Sequence, residues 1–161
     1  MSRSVLLLAA LSLCGAANPA EAPVQPIPFS HKVHVTAAHL KCSDCHKLPN
    51  PGEVETLPKA KECLTCHISV KADSSDIRAL KAYAEEKRPV PWVRVYELPG
   101  FVYFSHKVHI DGGASCQICH GPVEQRDRLW RETDLSMQAC VNCHTANKAP
   151  VSCGTCHELQ Q

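Results

Sequence analysis

Large apolar side chains are scarce in this chain. Only 5% of its 161 residues are aromatic, and glycine (7) is outnumbered by proline (12). A chain this short and this poor in aromatic bulk builds a thin core from its own side chains. Something else must fill the interior. Charge of one sign is lacking too: 17 Lys and Arg stand against 16 Asp and Glu, a formal +1 with His neutral. That excludes the basic field of a nucleic-acid-binding protein, and no run of like charge marks a tail. A long hydrophobic run is also lacking. The stretch Val5 to Leu13 is about half of what a membrane-crossing helix needs, and no later segment approaches it.

That stretch follows Met1-Ser2-Arg3-Ser4 and precedes Gly15, Ala16 and Ala17. A basic start, an apolar middle and small residues read as a secretory signal peptide over residues 1–17, with cleavage expected between Ala16 and Ala22. The competing reading, an N-terminal membrane anchor, suffers from the short apolar run. The implied location is periplasmic. Leu11-Ser12-Leu13-Cys14 also resembles a bacterial lipoprotein box, although Leu13 stands where such a box has a small residue. Cys14 is therefore either a lipid anchor or discarded. Residues 18–28 form a Pro-rich leader, expected to be extended.

Cysteine is what the chain has in plenty. The ten residues after Cys14 fall into five identical patterns: Cys42-Ser43-Asp44-Cys45-His46, Cys63-Leu64-Thr65-Cys66-His67, Cys116-Gln117-Ile118-Cys119-His120, Cys140-Val141-Asn142-Cys143-His144 and Cys153-Gly154-Thr155-Cys156-His157. Each is the C-x-x-C-H signature of covalent haem attachment. Two thiols at this spacing reach the two vinyl groups on one edge of a porphyrin, and the adjacent His supplies the proximal nitrogen to iron. A disulfide framework gives no reason for a His after every second cysteine. Zinc ribbons pair C-x-x-C units, and five is an odd number for that. The pattern implies five covalent haems c. Each ferric haem with two neutral axial ligands adds roughly −1 through its propionates, so the loaded protein is expected to be acidic.

Five histidines remain: His31, His34, His39, His106 and His109. Phe29-Ser30-His31-Lys32-Val33-His34 recurs as Phe104-Ser105-His106-Lys107-Val108-His109, each copy ahead of a C-x-x-C-H. The chain is an internal duplication. On a helix, residues three apart share a face, so one H-x-x-H can supply the sixth ligand to two neighbouring irons. Chain order pairs His31 with the haem at Cys42/Cys45, His34 with Cys63/Cys66, His106 with Cys116/Cys119 and His109 with Cys140/Cys143. The haem at Cys153/Cys156 is left with Met137, three residues before Cys140, with His39, or with an open position. Counting favours His39. The duplication favours Met137, because the first half is already complete, and a thioether is a common sixth ligand. Met137 could equally be a gap-filler beside a porphyrin.

Phe-Ser-His-Lys-Val-His before C-x-x-C-H resembles the class III multihaem cytochromes c, including their triheme and tetraheme forms. A longer likeness runs through Pro91-Trp92-Val93-Arg94-Val95-Tyr96, Leu98 to Phe104, Cys119-His120-Gly121-Pro122-Val123 and Leu135-Ser136-Met137. It is similar to the pentahaem cytochrome subunit of alternative complex III. That resemblance implies a wire of haems passing electrons from a membrane quinol-oxidising complex to a periplasmic acceptor such as another cytochrome. Those subunits generally carry a membrane span, so a free-standing or lipid-tethered carrier fits the resemblance equally.

The expected fold is mostly irregular, with short α-helices on the haem motifs, few strands, and a core formed by the haems. The expected modules are residues 29–72 (two haems), 73–103 (a helix and an extended linker) and 104–161 (three haems). Asp73 to Lys87 reads as a helix capped by Asp73 or Ser74 and stopped by Pro89, serving as a spacer. Pro91 to Tyr103 reads as β-rich, Pro49-Asn50-Pro51-Gly52 as a turn, and Trp92, Tyr103 and Phe104 as packing on haems. The functional expectation is an electron carrier, not an enzyme: an iron with six ligands can only change oxidation state. The alternative is a multihaem oxidoreductase with one open haem reducing a small molecule. No motif has Lys in place of its His, as nitrite-reducing haems often do. A haem sensor needs the same open site.

Overall fold

The computed structural model describes residues 22–47 and 57–157. The signal segment with Cys14, the first part of the leader, and the turn expected at Pro49 to Gly52 lie outside them. The described chain is poor in regular structure. Its α-helices are short: α1 (Cys42–Cys45), α2 (Ala60–His67), α3 (Ser75–Glu85), α4 (His106–Asp111), α5 (Cys116–His120), α6 (Met137–Ala146) and α7 (Cys153–Cys156). A π-helical turn (Val33–Ala37) and a 3-10 turn (Val123–Gln125) add to them. Among the described residues no helix is long and apolar enough to cross a membrane.

The helix starts follow from side chains that satisfy orphan backbone N–H groups. Ser74 accepts from Ile77 N (3.2 Å), Ser105 from Val108 N (3.4 Å) and Ser136 from Ala139 N (3.2 Å). At α1 and α2 a carboxylate reaches back instead: Asp44 accepts from Lys41 N (2.8 Å) and Glu62 from Lys59 N (3.1 Å). The cap of α3 is thus Ser74 of the two candidates. That helix ends before Pro89, at Lys87 in a left-handed conformation (φ 54°), with Arg88 N donating to Tyr83 O at 3.0 Å.

Over Pro91 to Tyr103, expected as a β-rich extended arm, the chain forms no strand. It carries no regular structure, and among the described residues its one β pairing is a lone antiparallel bridge, Val102 to His157. No neighbouring strand completes a ladder, so other groups take the backbone bonds. The Gln25 amide does so at Val93, donating to its O and accepting from its N, both at 2.9 Å.

Apolar burial is confined to one end of the described chain. Ile27, Ala60, Ile77, Leu80 and Val90 are buried together, with Cys63, Leu64, Tyr83, Ala84 and Trp92 packed on them. Here α3 lies against α2, so it does more than space the halves. The second half is tied by polar contacts. Arg126 grips Glu132 through two bonds of 2.7 Å and lies over the Trp130 ring at 4.9 Å. The Tyr96 hydroxyl accepts from Glu132 N and donates to His120 O, both at 3.1 Å. Thr133 donates to Cys119 O. Gly121 has φ +70°, and a Cβ there would crowd the Glu132 side chain at 3.3 Å. The halves meet where Lys32 N donates to Arg126 O (3.0 Å) and Ser30 Oγ to Asp127 (2.6 Å).

Candidate functional site

Every C-x-x-C is one helical turn. It forms α1 and α7 outright and lies within α2, α5 and α6. The two thiols of each pair therefore share a face. None of the ten described cysteines is in a disulfide. Among the described residues no three or more His, Cys, Asp or Glu converge as a zinc site requires.

The histidines meet in pairs. His31 faces His46 with ring centroids 6.3 Å apart, and His34 faces His67 at 6.1 Å. His106 faces His120 at 6.2 Å, and His109 faces His144 at 5.9 Å. These are the partners that chain order assigns. Two imidazoles bound end-on to one metal ion at about 2 Å, each with its centre about 1.1 Å further on, hold their centroids about 6 Å apart. The spacing is too wide for ring stacking and right for a metal ion between the rings.

Local structure aims the rings. Four of them are fixed through Nδ1 to a backbone carbonyl: His34 to Ser30 O (2.8 Å), His109 to Ser105 O (2.8 Å), His67 to Val70 O (2.9 Å) and His144 to Pro150 O (2.7 Å). A carbonyl only accepts, so Nδ1 carries the proton and Nε2 keeps the lone pair for a metal. His157 stands apart. Its Nδ1 lies 3.3 Å from Phe101 O, its ring is 5.9 Å from the Phe101 ring, and no imidazole faces it.

The two candidate partners of His157 sit differently. His39 is exposed with φ +56°. The next residue, Leu40, donates to His34 O (3.1 Å), as Ala114 donates to His109 O (2.9 Å). His39 therefore occupies the left-handed turn that Gly113 (φ +90°) makes in the second copy. Met137 is the first residue of α6, 70% exposed and one turn ahead of Cys140.

Comparison with known proteins finds a match in each half. The model of the "Class III cytochrome C family" matches residues 14–92, and that of "Cytochrome c7 and related cytochrome c" matches 102–158. It is a class III-type multihaem cytochrome c. A relative, the multiheme cytochrome c subunit of menaquinone reductase from Nitratidesulfovibrio vulgaris (strain Hildenborough), is 29% identical over 161 residues, 83% of this chain and 77% of its own length.

The cytochrome's described residues fit covalent haem c and its iron. Beside the paired rings and thiols, large apolar side chains stand bare: Val33 is 51% exposed, Val108 59% and Ile118 58%. Such exposed apolar surface calls for an apolar group to cover it. The rings are held ready as neutral ligands. Burial, then the neighbouring His46 and His34, push His31 down to about 4. Burial first, then His109, lowers His106, and burial, then His106, lowers His120. A neutral imidazole is the form that binds metal.

The thiols report which motifs are neighbours in the cytochrome. Burial first raises Cys42, Cys63, Cys119 and Cys140, and a thiol of another motif adds to it. For Cys42 that neighbour is Cys116, for Cys63 it is Cys45, for Cys119 it is Cys143, and for Cys140 it is Cys156. The sequence reading missed the Val70 and Pro150 carbonyls and the Tyr96–Arg126–Glu132 group behind His120. The Ser30 and Ser105 carbonyls were open to inference, four residues before a helical His. The Val70 and Pro150 carbonyls lie only three and six residues after their histidines, in the turns that follow the helices, whereas the group behind His120 depends on the tertiary path.

Proposed function

We propose that this cytochrome is a periplasmic electron carrier with five covalent haems, working as a respiratory electron-transfer protein or complex subunit. The four imidazole pairs at 5.9–6.3 Å carry this reading. Each cysteine pair anchors one haem: Cys42/Cys45, Cys63/Cys66, Cys116/Cys119, Cys140/Cys143 and Cys153/Cys156. His46, His67, His120, His144 and His157 are the proximal ligands, with His31, His34, His106 and His109 on the far sides of the first four. When bound, the haems supply the ferric–ferrous couple. The chain's part is to fix both axial positions, so that an iron changes charge without changing partners. The thiol neighbours give the path. It runs from Cys63/Cys66 to Cys42/Cys45, crosses to Cys116/Cys119, and continues through Cys140/Cys143 to Cys153/Cys156.

Met137 is the sixth ligand we assign to the fifth haem. It stands one turn from Cys140, whose thiol neighbours Cys156, whereas His39 serves a turn that a glycine makes in the other copy. The absence of an imidazole opposite His157 favours one second reading, an oxidoreductase whose fifth haem is open to a small molecule. The partner we propose is a quinone-linked membrane complex, as the menaquinone reductase relative and the likeness to alternative complex III both suggest. Cys14, if lipidated, would tether the protein beside it, and fatty-acid labelling decides that point.

The test is the intact mass of the holoprotein together with its ferric, ferrous and carbon-monoxide spectra. Five haems, all low-spin and indifferent to carbon monoxide, are expected, with a weak far-red ferric band from the Met137 thioether. Carbon monoxide on one haem in five would make the oxidoreductase the better reading.

A further inference from the structure

We infer that the Phe-Ser-His-x-x-His segment sets the twist between axial ligands, dividing the four His-paired sites into two kinds, coplanar and crossed, one of each per half. This rests on the bis-His reading above and goes beyond it to the electronic state of each site. The ring planes of His31 and His46 differ by 6°, and those of His106 and His120 by 11°. Those of His34 and His67 differ by 54°, and those of His109 and His144 by 51°. The two halves reproduce both values, although the loops around them differ.

The cause lies in the segment itself. Phe29 meets His34 face to face (4.4 Å, 22°) and His31 edge to face (4.8 Å, 84°). Phe104 repeats this with His109 (4.5 Å, 25°) and His106 (4.9 Å, 89°). One aromatic ring thus holds the two imidazoles of a segment nearly crosswise, in the two arrangements aromatic pairs prefer. In the crossed pairs, both rings are also latched by Nδ1 to carbonyls on separate parts of the chain. Ser30 and Val70 hold one pair, Ser105 and Pro150 the other. Turning either ring to match its partner would break a latch. Phe29 and Phe104 are therefore positioning residues.

The consequence is spectroscopic. Coplanar imidazoles act on the same iron d orbital of π symmetry and split it from its twin, whereas crossed imidazoles act on both. The low-field resonance of a ferric low-spin site moves further downfield as the rings cross. Electron paramagnetic resonance of the fully oxidised holoprotein tests this. Two populations of about equal size are expected from the His-paired sites, one rhombic and one with a strongly shifted low-field line. Phe29→Leu should change one site of each kind and leave the second half as an internal control. Phe29→Tyr, which keeps the ring, should leave all four unchanged. A single class of four low-spin sites in the wild-type protein overturns the proposal, with the bis-His reading intact. So does an unaltered spectrum in Phe29→Leu with all haems bound. High-spin signals from these sites would overturn the bis-His reading itself, and the proposal with it.

Discussion

The two copies of the H-x-x-H segment differ by one residue at their ends, and the molecule absorbs it without displacing a histidine ring. His34 to Leu40 spans six steps where His109 to Ala114 spans five, yet the same backbone bond closes both. The extra residue is taken up as the π turn Val33–Ala37, where the second copy has the α-helix His106–Asp111. A π turn is the usual form of a single-residue insertion in a helix. His31 precedes it and His34 is its second residue, and their distances to Phe29, His46 and His67 match those of the second copy within a few tenths of an ångström. The support behind the copies differs more. The first half leans on the apolar contact of α2 with α3, the second on the Arg126–Glu132 pair and Tyr96. Ring geometry thus repeats within the segment while the scaffold behind it differs.

The sharpest way to break the comparison is to withhold haem. Both halves should then lose their order, because their apolar surfaces have nothing to cover them. Far-UV circular dichroism of chain made without haem attachment should lose most of its helical signal, the remainder coming from α3.

Leu80→Ala separates the halves. Leu80 is 4% exposed at the centre of the apolar cluster, and its truncation should cost about 3 kcal/mol. Thermal denaturation should show this loss, while the spectra of the Cys116/Cys119 and Cys140/Cys143 haems stay as they were. Ser74→Ala removes the cap of α3 and should cost about 1 kcal/mol in the same assay.

Glu132→Gln probes the other support. Arg126 holds the Glu132 carboxyl below the usual carboxylate range. The folded state therefore gains from this pair above the unfolded carboxylate pKa, and loses that gain as pH falls through the lower folded value. The variant should melt below wild type at neutral pH, and the gap should close in acid. The effect is modest, since an ion pair near the surface is screened. Smallest of all should be the deletion of Thr36. If the π turn is only an absorbed insertion, it closes as an α turn, and the low-spin ferric spectrum is unchanged.

The motifs were legible because covalent chemistry writes them locally. Cys63 and Cys66 need their spacing whatever the fold, and the repeat from Phe29 to His34 displays the ligands twice. The cap at Ser74 and the helix after it were readable for the same reason. The β-rich run from Pro91 was readable as composition but not as pairing, because a strand exists only if a partner comes alongside. His39 shows the limit of counting. It completes a set of ten histidines, yet it stands at a left-handed turn.

The sequence by itself determined the C-x-x-C-H motifs and the duplication, because each is a spacing along a few helical turns, and chain order matched the four ring partnerships. The tertiary structure decided the rest. It placed Cys42 beside Cys116 rather than leaving the motifs in chain order, set Tyr96 and Glu132 behind His120, and left His157, among the described residues, without a facing imidazole. Those outcomes depend on how separate segments pack, and no local pattern encodes that.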